Sequence, residues 1–137
     1  MIGGVNLANV SIRITHGNTI YTPPIEEGIE LEYAISGSPG KLTFKIIKDT
    51  DMELKITEGD IVDLLVDGST IFTGYVFTLS HDKDAFMSIT CYDLLRYFKN
   101  KYTYCFEKKK ASAIVKALCE DFKMPIGTIE DTGYVIP

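Results

Sequence analysis

The sequence predicts a mainly β fold, a small barrel or sandwich with short helices, followed by the start of an α+β domain. Two observations predict it. Through the first ninety residues, short segments alternate apolar and polar side chains with a period of two and are separated by turn residues. After Tyr92 the apolar spacing changes to that of a helix.

The first strand is "ANVSIRIT" (8–15), in which Val10, Ile12 and Ile14 alternate with Ser11, Arg13 and Thr15. His16, Gly17 and Asn18 make a turn. "TPPIEEG" is extended but unsuited to a central strand, because neither Pro23 nor Pro24 can donate a ladder hydrogen bond. "IELEYAI" sets Ile29, Leu31, Tyr33 and Ile35 against Glu30 and Glu32. After the turn "SGSPG", "KLTFKIIK" places Leu42, Phe44 and Ile46 on one face. A hairpin follows in "GDIVDLLVDGSTIFTGYVF" (59–77), its first half alternating loosely through Ile61, Leu64 and Val66 and its second through Ile71, Phe72, Tyr75 and Phe77. Its two-residue turn, Asp67-Gly68, needs positive φ, which Gly accepts without steric cost. Past "HDKDA", the strand "FMSITCY" sets Met87, Ile89 and Cys91 against Phe86, Ser88 and Thr90.

Asp93 is placed to cap a short helix through Leu94, Leu95 and Phe98, its carboxylate accepting an otherwise unpaired backbone N–H. "KYTYCFE" reads as a further strand. "ASAIVKALCEDFK" (111–123) carries a stripe of Ile114, Ala117, Leu118, Asp121 and Phe122, with Asp121 its one polar interruption, and Met124-Pro125 ends it. "IGTIEDTGYVIP" supplies no closing element of its own. These segments divide the chain into a β-barrel domain, 1–106, and the beginning of a second, α+β domain, 107–137, cut short. Ile114, Leu118 and Phe122 should then be less buried than Phe44 or Ile89.

Composition excludes several classes. With 45% hydrophobic and 24% charged residues the chain is globular rather than disordered. Its apolar runs are too short to span a bilayer, and "MIGGVNLANV" has neither the basic nor the apolar region of a signal peptide, so synthesis in the cytoplasm is expected. The cysteines, Cys91, Cys105 and Cys119, are evenly spaced, which suits neither a zinc knuckle nor a redox pair; buried, reduced thiols are expected. The net charge is −5, yet Arg96, Lys99, Lys101 and Lys108–Lys110 cluster with Glu107 as the one acid among them. One basic stripe thus lies in an otherwise acidic chain.

No catalytic, cofactor-binding or metal-ligating residue is assigned. His16 and His81, the two histidines, stand beside turns, without the orienting partner and nucleophile that a general base requires. Asp49-Thr50-Asp51 resembles the start of a calcium loop but lacks its glycine and its closing glutamate. "SGSPGK" resembles a phosphate-binding loop, but Ile35 stands where that motif needs Gly and Leu42 where it needs Ser or Thr. Residues 92–110 interleave Tyr92, Tyr97, Phe98, Tyr102, Tyr104 and Phe106 with the basic cluster, as single-strand nucleic-acid readers do. A small nucleic-acid-binding module is therefore the alternative reading.

Four stretches, "SGSPGKLTFKIIKD", "EGDIVDLLVDGSTIFTGYVF", "ITCYDLLRYFKNKYTYCFE" and "ASAIVKALCEDFKMPIGTIEDTGY", resemble the XkdQ/YqbQ family. These are hub proteins of contractile phage tails and of PBSX-type phage-tail-like particles. The similarity covers residues 28–134, and "IFTGYVF" and "YDLLRYFKNKY" are its more specific parts. The shared residues are framework residues. The resemblance implies a tail-tube-like β-barrel and a structural, non-enzymatic role without cofactors. It implies a homotrimeric hub in the baseplate, between the tail tube protein and the central spike protein, whose paired barrels make a pseudo-hexameric ring. It further implies that this chain is an N-terminal fragment, monomeric or weakly associated alone, of a protein made in the bacterial cytoplasm and assembled into a virion or particle. No membrane partner is expected.

Overall fold

A computed structural model describes residues 8–48, 53–82 and 85–137. The Asp49-Thr50-Asp51 motif, the start of the "MIGGVNLANV" stretch, and Lys83 and Asp84 of the "HDKDA" turn lie outside the described residues. The chain forms two compact units, 1–96 and 97–137. The division thus falls ahead of the 106/107 boundary expected from the sequence.

In the first unit the strands are β1 (Val10–His16), β2 (Thr19–Tyr21), β3 (Glu30–Glu32), β4 (Lys41–Ile47), β5 (Ile61–Val66), β6 (Ser69–His81) and β7 (Phe86–Tyr92). They form one seven-stranded sheet in the order β2-β1-β5-β6-β7-β4-β3, with every neighbouring pair antiparallel. The fold is mainly β, as expected, but the sheet is open and no closed barrel forms among the described residues. Both outermost strands, β2 and β3, are three residues long. The segment joining them contains Pro23 and Pro24, which cannot extend a ladder.

The sheet folds over on itself at β6, a strand of 13 residues. Its first half, through Tyr75, pairs with β5, and its second half, from Tyr75, pairs with β7. A register shift between Val76 and Thr78 leaves Phe77 as an extra residue, and a second between Leu64 and Leu65 leaves Ile71 as another. Bulges of this kind bend a strand and increase its twist, which lets one long strand serve two half-sheets. Gly74 sits in the bend because a Cβ there would meet the Tyr92 carbonyl oxygen at 2.7 Å.

The inner faces of both halves share one core: Ile12 and Ile14 of β1, Val62 and Leu64 of β5, Phe72 and Val76 of β6, Leu42, Phe44 and Ile46 of β4, and Met87, Ile89 and Cys91 of β7. The alternations read in "KLTFKII" and "FMSITCY" hold residue for residue, and that of "ANVSIRIT" holds at Ile12 and Ile14 but not at Val10, which is exposed at the start of β1. In β5 the buried apolar positions are Val62 and Leu64, with Asp63 nearly buried between them, while Ile61 is exposed. The alternation of "IELEYAI" gives way after Glu32, and Tyr33 and Ile35 are exposed. The β5–β6 turn is as expected, with φ of 49° at Asp67 and 80° at Gly68. Asp93 caps the 3-10 helix Leu94–Lys99, accepting the Leu95 N–H at 3.0 Å. Its other oxygen accepts the Gly40 N–H at 2.8 Å, so "SGSPGK" is a clamped turn between strands.

The second unit contains β8 (Lys109–Lys110), helix α1 (Ala111–Asp121) and β9 (Val135–Ile136). β8 pairs with β9, so the terminal segment does carry an element, one too short for alternation to reveal. "KYTYCFE" is not a strand here; its tyrosines are held by rings and by α1, as described below. The helix stops at Asp121. Lys123 adopts a φ of 53° while the Met124 and Lys123 N–H groups donate to the Cys119 and Glu120 carbonyls. This C-terminal cap precedes Pro125 and ends the helix before proline is reached.

Candidate functional site

The outward face of the sheet can be followed across all seven strands in one row. Thr15 pairs with Ile20 and Ile61, Ile61 with Tyr75, Tyr75 with Tyr92, Tyr92 with Lys41, and Lys41 with Glu32. Each member neighbours a core residue along its own strand and therefore points away from the core. The two bulges add to the same face: Ile71 is 47% exposed and Phe77 39%, beside Ile61 at 38%. Phe77 meets the Tyr92 ring edge-on, with centroids 5.3 Å apart. The Arg96 guanidinium lies over both rings, 5.0 Å from the Phe77 centroid and 5.7 Å from that of Tyr92. An apolar, aromatic patch with a cation on it thus occupies the outer side of β5, β6 and β7.

Below the patch runs a polar row. Asp63, directly between Arg13 and Thr73 in the ladder, accepts from Arg13 Nη2 at 2.7 Å and Nε at 3.1 Å, and from the Thr73 hydroxyl at 2.6 Å. Its carboxylate is nearly buried and fully engaged. His16 has an orienting carboxylate after all, because its Nδ1 lies 2.9 Å and 3.0 Å from the two oxygens of Asp60. The Thr57 hydroxyl, 3.4 Å away, approaches that same nitrogen. A nucleophile–base–acid relay needs nucleophile and carboxylate on opposite ring nitrogens, so this cluster ties β1 to the residues before β5 rather than activating a hydroxyl. Asp60 also accepts the Thr57 N–H at 2.8 Å, closing a side-chain turn. His81 ends β6, exposed.

Sequence reading passed over Asp60 and Asp63. The available signal was an acid inside the apolar run "IVDLLV", at the same strand parity as Arg13.

The basic aromatic stretch is split between the units, with Tyr92 and Arg96 in the first and Tyr97–Lys110 in the second. In the second unit its rings pack on one another. Phe98 and Tyr102 meet Phe122 edge-on at 5.1 Å and 5.3 Å, and Tyr104 stacks on Phe106 at 5.8 Å. The Tyr104 hydroxyl donates to Asp121 at 2.5 Å, which, with minor help from burial and the nearby charge, pushes its pKa up to about 12. Lys110 donates to Asp131 at 2.7 Å and, together with the Gly133 N–H, holds that carboxyl below its usual range. The expected buried thiol is found at Cys91 alone, where burial pushes the pKa up to about 12; Cys105 is exposed and Cys119 half-buried. Among the described residues, no group of His, Cys, Asp and Glu could hold a metal ion, and no helix is long and apolar enough to cross a membrane.

The fold is shared with solved tail proteins. The 43 kDa tail protein of prophage MuSo2 from Shewanella oneidensis superposes with a TM-score of 0.64, at 15% identity, over 90% of this chain and 42% of that one. The tail protein from Neisseria meningitidis MC58 gives a TM-score of 0.62 at 16% identity, over 84% of this chain and 34% of that one. The chain belongs to the YQBQ-like family, whose model matches residues 29–137. It is 36% identical to the uncharacterized protein YqbQ and 30% identical to the phage-like element PBSX protein XkdQ, both of Bacillus subtilis strain 168. Each match covers 82% of this chain and 35% of the relative, so the chain spans about a third of the length of the curated relatives it matches.

Proposed function

We propose that this chain is a structural component of a phage tail or phage-tail-like particle, and that its place is the baseplate hub. There it joins the tail tube protein to the central spike protein as part of a homotrimeric, pseudo-hexameric ring. The role is one of assembly rather than catalysis, within a protein made in the bacterial cytoplasm and built into the particle. The observation that carries the reading is the fold itself. A chain of the YQBQ-like family, 30% identical to the PBSX protein XkdQ, shares its overall fold with two tail proteins. The geometry supports it further, because Arg13, Asp63, Thr73, His16 and Asp60 tie strands together while Ile61, Ile71 and Phe77 are turned outward. Ring assembly also buries strand edges between copies.

Sedimentation tests the proposal. The whole protein should be a trimer. This chain alone, lacking the other surfaces and the effective-concentration gain of a tethered second domain, should be monomeric or weakly associated at micromolar concentration. A monomeric whole protein would overturn the ring. A stable trimer from this chain alone would place the trimer contacts within these residues.

A further inference from the structure

The outer side of β5, β6 and β7 holds the residue types that dominate the centres of protein interfaces. Ile61, Tyr75 and Tyr92 are consecutive cross-strand partners, Phe77 packs on Tyr92, and Arg96 covers both rings. Tyr and Arg in particular concentrate at binding hot spots. Two β-bulges each add an exposed apolar side chain, Ile71 and Phe77. Among the described residues, the side-chain contacts of Arg96 are to ring faces, which occupy none of its five N–H donors. The acid of the neighbouring row, Asp63, already accepts from Arg13 and Thr73. The patch therefore offers an apolar floor and a cation whose hydrogen-bonding edge suits an incoming carboxylate.

In the ring proposed above, the paired domains of each copy alternate. Every domain of the kind in this chain is then flanked by domains of the second kind, from its own copy and from a neighbour, and meets none of its own kind. Charge also opposes pairing of the patch with itself, since that would bring two Arg96 side chains into one apolar contact without a counter-ion. The match covers 35% of each curated relative, so a whole protein of their length has room for a second domain. We propose that the aromatic patch seats that second domain, which lies in the whole protein outside this chain, through an apolar surface that presents a carboxylate to Arg96. The inference rests on the ring reading and names the face of this unit that makes the contact. Without the second domain, this chain has nothing to fill the patch and stays monomeric or weakly associated.

Two variants of the whole protein, followed by sedimentation, test the contact. Arg96→Glu and Ile71→Asp should each raise the dissociation constant of the trimer by at least about tenfold. Melting temperatures are measured alongside. Ile71 is 47% exposed at a bulge, so Ile71→Asp reads docking even where Arg96→Glu proves to lower stability. A photoreactive benzophenone amino acid introduced in place of Ile71 then identifies the occupant by mass spectrometry of the crosslinked peptides. Crosslinks should run to peptides of the whole protein outside the 137 residues of this chain. Crosslinks within those residues, or a stable trimer from this chain alone, overturn the inference and leave the ring standing. A wild-type trimer indifferent to both variants also overturns this inference alone, and gives the patch to a different protein. A wild-type monomer overturns the ring reading, and this inference with it.

Discussion

The two units of the chain are built in opposite ways. Among the described residues, every buried hydrophobic side chain belongs to the first unit, where five strands and the approach to β5 enclose one core. In the second unit the one buried residue of α1 is Ser112, while Ile114, Leu118 and Phe122 remain partly exposed. Its ties are ring pairs and polar contacts at the surface, Tyr104 to Asp121 and Lys110 to Asp131. Exposed polar ties contribute little, and a unit this small buries too little surface to be robust. The difference teaches where stability and adaptability reside: the sheet is a self-sufficient scaffold, and the helical unit offers an apolar face.

The largest effect that could break this comparison is a core truncation. Phe44 is 1% exposed, in the core, so Phe44→Ala should cost about 3–5 kcal/mol. Leu118→Ala, on the half-covered face of α1, should cost less than about 2 kcal/mol, since less apolar area returns to water. Denaturant titration of both variants checks this. Equal losses would show that the helical unit is as well packed as the sheet.

A smaller effect is expected at the β5–β6 turn, which holds the hairpin in register. Gly68 has a φ of 80°, which a β-branched residue adopts only under strain. Gly68→Val should therefore lower stability by about 1 kcal/mol or more. An unchanged melting temperature would mean that the turn can rearrange without cost.

The cysteines sharpen the comparison without altering stability. Cys91 lies in the core with its pKa at about 12, whereas Cys105 is exposed and Cys119 half-buried. Since the thiolate is the reactive form, a thiol reagent at neutral pH should label Cys105 first, Cys119 next, and Cys91 only on unfolding. Intact mass without reductant should show three free thiols. Early labelling of Cys91 would mean that the sheet opens far more readily than its packing implies.

The same contrast decides what was legible in the sequence. Strands with one buried face announce themselves by alternation, and Ile12, Ile14, Leu42, Phe44, Ile46, Met87 and Ile89 were readable for that reason. The Asp67-Gly68 turn was readable because two positive φ angles restrict the residues that fit. The bend at β6 was hidden. A bulge inserts a residue and resets the period, so Ile71 and Phe77 read as part of a continuous apolar strand although both face out. Sheet closure was equally invisible, because alternation reports which face is buried and not which strands pair; β2 and β3 proved too short to join. In the second unit, "KYTYCFE" has the composition of a strand, but its aromatics are satisfied by Phe122, by Asp121 and by one another. The outward patch depended on all of this, since Ile61, Tyr75 and Tyr92 become neighbours only once the register of three strands is set.

The smallest effect expected is a single titration in the second unit. Tyr104 ordinarily would lose its proton near 10.0, but its hydroxyl donates to Asp121, and the bond holds only while the phenol is protonated. The folded-state pKa is raised, to about 12. The folded state therefore keeps a proton that the unfolded state has released. This contribution is fully present below pH 10.0 and is lost as pH rises through about 12. Both partners are exposed, so the change in stability should be small and is better read spectroscopically. Alkaline titration by phenolate absorbance, taken as the difference between the wild type and Tyr104→Phe, should show one tyrosine titrating near 12. A difference spectrum with its midpoint near 10.0 would mean that the Tyr104–Asp121 bond does not persist in solution, and that the helical unit is looser still than its exposed apolar face suggests.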